Sequence, residues 1–188
     1  GSRGVEGKIN VIQYAREHGI PYFGLCYGMQ LMVIEYARHK AGITDATSRE
    51  INPKSKNLVI DVMIDQKEKL AEERYGGTMR LGSYKAKLAK GTQAHTAYGT
   101  NIILERHRHR YEVNQTYVSQ LEEAGLVFSG KSPDGTLMEI SELPKDIHPF
   151  FLATQFHPEF LARPLAPHPL FTAFLKASAQ NIKLKKNK

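Results

Sequence analysis

Residues 20–30 read Ile-Pro-Tyr-Phe-Gly-Leu-Cys-Tyr-Gly-Met-Gln, and they place the only cysteine of the 188-residue chain, Cys26, between Gly24 and Gly28. Ile20 to Leu25 is short and nearly all apolar, the pattern of a strand buried on both faces in a parallel sheet. From Gly28 to Lys40, Met29, Met32, Val33, Tyr36 and Ala37 recur at spacings of three and four, which predicts a helix. Strand, sharp turn and helix therefore meet at Cys26. The two glycines imply a forced backbone, because side chains at 24 and 28 would clash where the turn folds back on itself. A nucleophile on such an elbow projects from the sheet edge toward the unpaired N–H groups and positive end of the helix, a field expected to lower a thiol pKa. The motif alone also suits a buried, inert cysteine.

Working outward, Val5 to His18 has helical spacing, with Val5, Ile9, Ile12 and Ala15 on one side and Gly19 as the stop. Strand-like runs follow at Leu58 to Ile64, Met79 to Leu88, Ile102 to Val113, Leu126 to Gly130, Leu137 to Glu142 and Phe150 to Phe156, with a last helix at Leu170 to Ala179. This order predicts an α/β fold: a mostly parallel central sheet flanked by helices, carrying an antiparallel extension. No internal repeat or low-complexity linker divides the chain, so residues 1–180 are expected to form one domain and residues 181–188 a solvated basic tail. The charged stretch Asp65 to Tyr75 reads as a lid or surface loop.

With 41% hydrophobic and 24% charged residues the chain can bury a real core. No apolar run reaches the roughly 18 residues needed to span a bilayer, and Gly1-Ser-Arg-Gly-Val-Glu-Gly-Lys8 lacks a secretory apolar segment. A lone cysteine forms no internal disulfide, so an intracellular, cytoplasmic setting is expected. The formal charge of +7 concentrates at Arg106-His-Arg-His-Arg110 and at the carboxyl terminus. In an alternating strand Arg106, Arg108 and Arg110 face one way and His107 and His109 the other, so the run need not be a nucleic-acid patch.

A thiol nucleophile needs a base, and the chain has eight histidines. His18, His39, His95, His148 and His168 carry no distinguishing context and are expected at the surface. His157 differs, because Gln155-Phe-His-Pro-Glu159 follows an apolar strand and Pro158 restricts His157 to extended backbone. Glu159 can then accept the Nδ1 proton of His157 while Nε2 faces the thiol. A surface strand end would explain His-Pro-Glu about as well.

Taken together, Gly24-Leu-Cys-Tyr-Gly-Met-Gln30, Gly77-Thr-Met-Arg-Leu-Gly82, Glu105-Arg-His-Arg-His-Arg-Tyr-Glu-Val-Asn114 and Gln155-Phe-His-Pro-Glu-Phe160 resemble the class I glutamine amidotransferase domains of CTP synthases. The resemblance runs from residue 3 to about residue 175. It implies a Cys-His-Glu triad of Cys26, His157 and Glu159 that hydrolyses glutamine and passes ammonia to a synthetase domain, which aminates UTP to CTP using ATP and Mg. By the same resemblance Gln30 and Glu50 would bind the α-amino end of glutamine and Arg110 its carboxylate, with the backbone N–H of Tyr27 in the oxyanion hole. Arg3, Gly4 and Glu6 would fall in a loop associated with GTP as allosteric activator, although Glu6 also suits the start of a helix. No metal or other cofactor is implied for this domain. L-glutamine and the synthetase domain are the expected partners, in a homotetramer when full length, with no nucleic acid and no membrane.

Two departures stand out. The family usually has Leu at the position of Tyr27. Its motif Pro-Gly-Gly-Phe-Gly-x-Arg-Gly is represented only by Gly1-Ser-Arg-Gly4, so the amino-terminal strand and oxyanion glycine loop are expected to be missing from this sequence. Another thiol hydrolase, such as a γ-glutamyl hydrolase or papain-like protease, is one alternative, although the papain signature is absent. A non-catalytic nucleotide or nucleic-acid binding module is the other.

Overall fold

The computed structural model describes residues 3–62 and 79–186. Helix α1 (Val5–Glu17) leads into strand β1 (Tyr22–Leu25) and, through Cys26, into helix α2 (Tyr27–His39). Strands β2 (Thr47–Ser48), β3 (Leu58–Val62) and β4 (Arg80–Leu88) come next, then a short helix α3 (Gln93–Tyr98). Strands β5 (Ile102–His109) and β6 (Tyr111–Val113) precede helix α4 (Val118–Glu123), followed by β7 (Val127–Lys131), β8 (Met138–Glu142) and β9 (Phe151–Thr154). A 3₁₀ turn, Pro158–Phe160, and helix α5 (Pro169–Lys186) close the described chain. The stretch Asp65 to Tyr75, read as a lid or loop, lies outside the described residues, as do Ile64, Gly77 and Thr78.

The larger sheet has the order β1-β9-β8-β7-β4-β5, and a smaller one the order β2-β3-β6. The α/β class and the antiparallel extension are as expected, but the sheet is mixed rather than mostly parallel. Among the described strands β1–β9 and β2–β3 pair in parallel, and the five other pairings are antiparallel. The connections explain this: residues 132–137 and 143–150 are shorter than the dozen or so residues that a parallel crossover requires.

Side-chain alternation puts helices on both faces of the large sheet. On β9 Phe151 and Ala153 join the core shared with α1, α2 and α4, while Phe150, just before the strand, and Leu152 join the core under α3 and α5. All four residues of β9 are buried. In β1, at the end of the sheet order, only Gly24 is buried, so the doubly buried strand expected at the elbow is its neighbour. Helices α1 and α2 are clamped by Arg16, whose guanidinium forks onto the fully buried carboxylate of Glu35 at 2.8–3.1 Å.

The run Ile102 to Val113, expected as one strand, breaks at Arg110. Its first part edges the large sheet and its second pairs with β3 in the small one. That switch carries Tyr111 to the side of α2, where its carbonyl accepts a hydrogen bond from Gln30 at 3.0 Å. Helix α5 continues to Lys186, into the segment expected to be a tail.

Candidate active site

Cys26 has φ +50° and ψ −98°, and it is the one non-glycine residue with positive φ among the described residues. Such a backbone costs on the order of 1–3 kcal/mol and persists only where the surroundings dictate it. Here the Cys26 N–H donates to Thr154 O at 2.7 Å, and its carbonyl accepts from the N–H groups of Met29 and Gln30 at 3.0 and 3.2 Å. One residue is thereby tied to β9 and to the first turn of α2. The clash argued for Gly24 holds: a Cβ there would meet the Tyr22 hydroxyl at 2.5 Å and the Gly28 backbone at 2.8 Å. At Gly28 it holds weakly, since the nearest atom to a Cβ is that same hydroxyl at 3.3 Å.

The expected lowering of the thiol pKa is not found. Burial pushes the Cys26 thiol up to about 11, and the carboxylates of Glu112, Glu159 and Glu50 push in the same direction. The Tyr27 N–H, donating to the sulfur at the head of α2, pulls downward. Desolvation outweighs the helix end, so Cys26 rests as a neutral thiol and must lose its proton during reaction.

His157 leaves the sheet beside it. Leu25 and Thr154 are register partners in the parallel β1–β9 pair, so Cys26 and residues 155–157 emerge at the carboxyl ends of adjacent strands. The backbone N–H of His157 donates to Arg106 O at 2.9 Å, and its ring stacks on Phe160 at 4.8 Å. Nδ1 lies 2.6 Å from Glu159 Oε1. A carboxylate only accepts, so the proton of the neutral ring sits on Nδ1 and Nε2 carries a lone pair. That Nε2 is buried and has no hydrogen-bond partner among the described residues. The His157–Glu159 pair read from the sequence is therefore formed, with Glu159 charged close enough to act on Cys26.

Of the residues assigned to glutamine, Tyr27, Gln30 and Glu50 lie at the elbow, and Arg110 lies at the break in the β5–β6 run. Gln30 is buried on the first turns of α2. Glu50 is exposed, with its charge acting on both Cys26 and Tyr27. Arg110 is half-buried at the break between β5 and β6. The ring of Tyr27 lies 5.5 Å from Lys8 Nζ and lines a cavity of about 530 Å³ with Gly4, Lys8 and Val11. In the stretch tied to GTP, Arg3 is exposed, Gly4 has φ +65°, and Glu6 lies in the first turn of α1, as its helix-start reading expects, where it also pairs with Arg38 of α2 at 2.8 Å.

Behind the site lies a cluster that the sequence did not reveal. Arg80, from the Gly77–Gly82 stretch, reaches Glu112 at 3.3 Å and Glu139 at 2.6 Å, and all three are buried. His107 and His109 face each other with Nδ1 of the first 3.0 Å from Nε2 of the second, and His109 Nδ1 reaches the Tyr111 carbonyl at 3.2 Å. Burial and the Arg80 charge hold His107 down to about 2 and His109 down to about 3, so both are neutral. Burial and Glu139 raise Glu112 to about 8. The alternation expected of the basic run places these two histidines inside and Arg106 and Arg108 outside, while Arg110 belongs to the break. His148 and His168, expected at the surface, are also buried. The first accepts from Phe150 N and reaches Ala15 O, and the second reaches Glu105 at 2.8 Å.

The fold is thus an α/β sheet that carries a strained cysteine elbow beside a His-Glu pair. The chain belongs to the class-I glutamine amidotransferase family, whose model matches residues 1–177. Within that family it is similar to CTP synthases. It is 59% identical to CTP synthase of Carboxydothermus hydrogenoformans over 98% of this chain and 34% of that protein. With CTP synthase of Saccharopolyspora erythraea it shares 55% identity over 96% of this chain and 32% of that one. The chain thus spans about a third of the length of these curated relatives. The glutaminase domain of Trypanosoma brucei CTPS, solved with bound acivicin, superimposes with a TM-score of 0.88 at 40% identity, covering 96% of this chain and 68% of that one. No described helix is long and apolar enough to cross a membrane.

Proposed function

We propose that this domain hydrolyses L-glutamine to glutamate and ammonia as the glutaminase half of a CTP synthase, with Cys26, His157 and Glu159 as its triad. The observation that carries this reading is the placement of Cys26 and the His157–Glu159 pair at the ends of the adjacent parallel strands β1 and β9. His157 Nε2 takes the thiol proton as Sγ attacks the carboxamide carbon, and the fixed Tyr27 N–H at the head of α2 donates to the developing oxyanion. The imidazolium returns that proton to the departing nitrogen, releasing ammonia and leaving a γ-glutamyl thioester. His157 then takes a proton from water, whose oxygen attacks the thioester, and the proton passes to sulfur as glutamate leaves. Glu159 stays ionised and fixes the tautomer.

Gln30 Oε1 and Glu50 suit the α-ammonium of glutamine, and Arg110 its carboxylate, because a zwitterion requires contacts of both signs. Ammonia would pass to a synthetase domain that binds UTP, ATP and Mg, with GTP as activator near Arg3, Gly4 and Glu6, in a cytoplasmic homotetramer. The hydrolysis itself uses no metal or cofactor in this domain.

The test separates the two half-reactions in the complete polypeptide. Cys26→Ala is expected to abolish glutamine-dependent CTP formation while leaving synthesis from added ammonia largely intact. Equal loss of both would make Cys26 structural and defeat the reading.

A further inference from the structure

Gln155 takes no part in the triad, yet it is fully buried and its side chain touches the sulfur: Nε2 lies 3.7 Å from Cys26 Sγ. Its orientation follows from a chain of hydrogen bonds whose first member has no freedom. The Tyr111 carbonyl can only accept, so Gln30, 3.0 Å away, must present its NH₂ group there. The second hydrogen of that NH₂ points to Gln155, 3.5 Å distant, which must therefore offer its oxygen. Once Oε1 of Gln155 is committed to Gln30, the NH₂ of Gln155 is left facing the sulfur. The node is itself fixed from the other side, because His109 Nδ1 also donates to the Tyr111 carbonyl. Gln155 cannot drift along the strand either, since its backbone N–H donates to Glu139 O at 2.8 Å.

We propose that Gln155 is a catalytic hydrogen-bond donor to the Cys26 sulfur, held in its donating orientation by Gln30 and the Tyr111 carbonyl. The proposal rests on Cys26 being the nucleophile of the function given above. A thiolate accepts a hydrogen bond far better than a thiol, so a fixed N–H donor favours the charged form. The need for one is plain from the surroundings. Glu50, Glu112 and Glu159 all act on this sulfur to disfavour its anion, as does burial, and the Tyr27 N–H opposes them. Gln155 is a second, neutral donor, placed where water has little access. It acts twice in turnover, when the thiol loses its proton to His157 and again when the thioester C–S bond breaks and its electron pair returns to sulfur. The same geometry commits both hydrogens of the Gln30 NH₂ within the protein, leaving Oε1 as the atom of Gln30 able to accept from a substrate ammonium.

The test reads the sulfur directly. In the complete protein, the rate at which iodoacetamide alkylates the Cys26 peptide, followed by mass spectrometry as a function of pH, reports the thiolate fraction of Cys26. Gln155→Met, which keeps length and removes the donor, is expected to shift the profile to higher pH and slow alkylation at neutral pH roughly tenfold. Gln30→Met should shift it the same way by less, and the double variant should be no slower than Gln155→Met alone, because the relay acts only through Gln155. In the complete protein Gln155→Met should lower kcat with little change in KM for glutamine. A parental alkylation profile in folded Gln155→Met, whatever its Tm, would reduce Gln155 to a space-filling residue and overturn the proposal. Should Gln155→Met fail to fold, Gln155→Asn decides. Its shorter side chain withdraws from the sulfur, so it must show the same shift, and an unshifted profile is equally fatal. Because alkylation needs no glutamine, failure of the proposed function and failure of this inference are distinguishable.

Discussion

Cys26 and His157 leave neighbouring strands at the same end of the sheet, yet opposite means hold them in place. The cysteine is fixed by backbone: a positive φ, an N–H tied across to Thr154, and glycine at position 24 where a single extra carbon would meet other atoms at 2.5 Å. The histidine is fixed by side chains, through a 2.6 Å contact with Glu159 and a stacked Phe160, and its ring keeps 19% exposure. A nucleophile has to be brought to one point, which rigid backbone does well. A base has to exchange protons with thiol, ammonia and water in turn, and a partly exposed ring on a carboxylate suits that task. The difference predicts that changes to the backbone that holds the cysteine act on folding, and that changes to the side chain of the histidine act on rate.

The largest effect is expected from His157→Ala, with kcat for glutamine hydrolysis in the complete protein falling by roughly 10²–10⁴ and urea unfolding nearly unchanged. A large loss of stability with a small loss of rate would invert the comparison. On the other side, Gly24→Ala should destabilise the fold by about 3 kcal/mol in urea melts, because backbone as well as a side chain blocks the new methyl. Gly28→Ala, facing only a tyrosine hydroxyl and lying in a helix, should stay within about 1 kcal/mol of the parent. Equal costs at the two glycines would mean that the turn is looser than described.

A smaller effect tests the cluster behind the site. His109 is held down to about 3 from an ordinary 6.5, so between those values the unfolded chain binds a proton that the folded chain refuses. Its contribution to stability is present above pH 6.5 and is lost as pH falls toward 3. His109→Gln removes that one proton. Relative to the variant, the parent should therefore lose up to about 1.4 kcal/mol per pH unit within this window. Parallel stability curves for the two proteins would place His109 in contact with solvent.

The elbow was legible because its determinants are local: an apolar run, two glycines and a helical period within about twenty residues of Cys26. The His157–Glu159 pair was legible for the same reason, two residues apart around a proline. What escaped was non-local or short. Arg80, Glu112 and Glu139 come together from β4, β6 and β8, and nothing in any one of those segments marks its charged residue as buried. The break at Arg110 was hidden because alternation continues straight through it. Helix α3 has a Thr92 cap and a Gly99 stop, yet its six residues are too few to display a period. The thiol was misjudged in sign, since a sequence shows the helix that follows Cys26 but not the desolvation that outweighs it.

The most direct test of the cysteine elbow as the reacting centre is mass spectrometry of the complete protein after exposure to a glutamine-mimicking electrophile. One adduct per chain is expected, mapped to Cys26, with its rate of formation strongly reduced in His157→Ala because the neutral thiol depends on that base. An adduct on any other residue, or none at all while the enzyme still hydrolyses glutamine, would contradict the assignment of Cys26 as nucleophile.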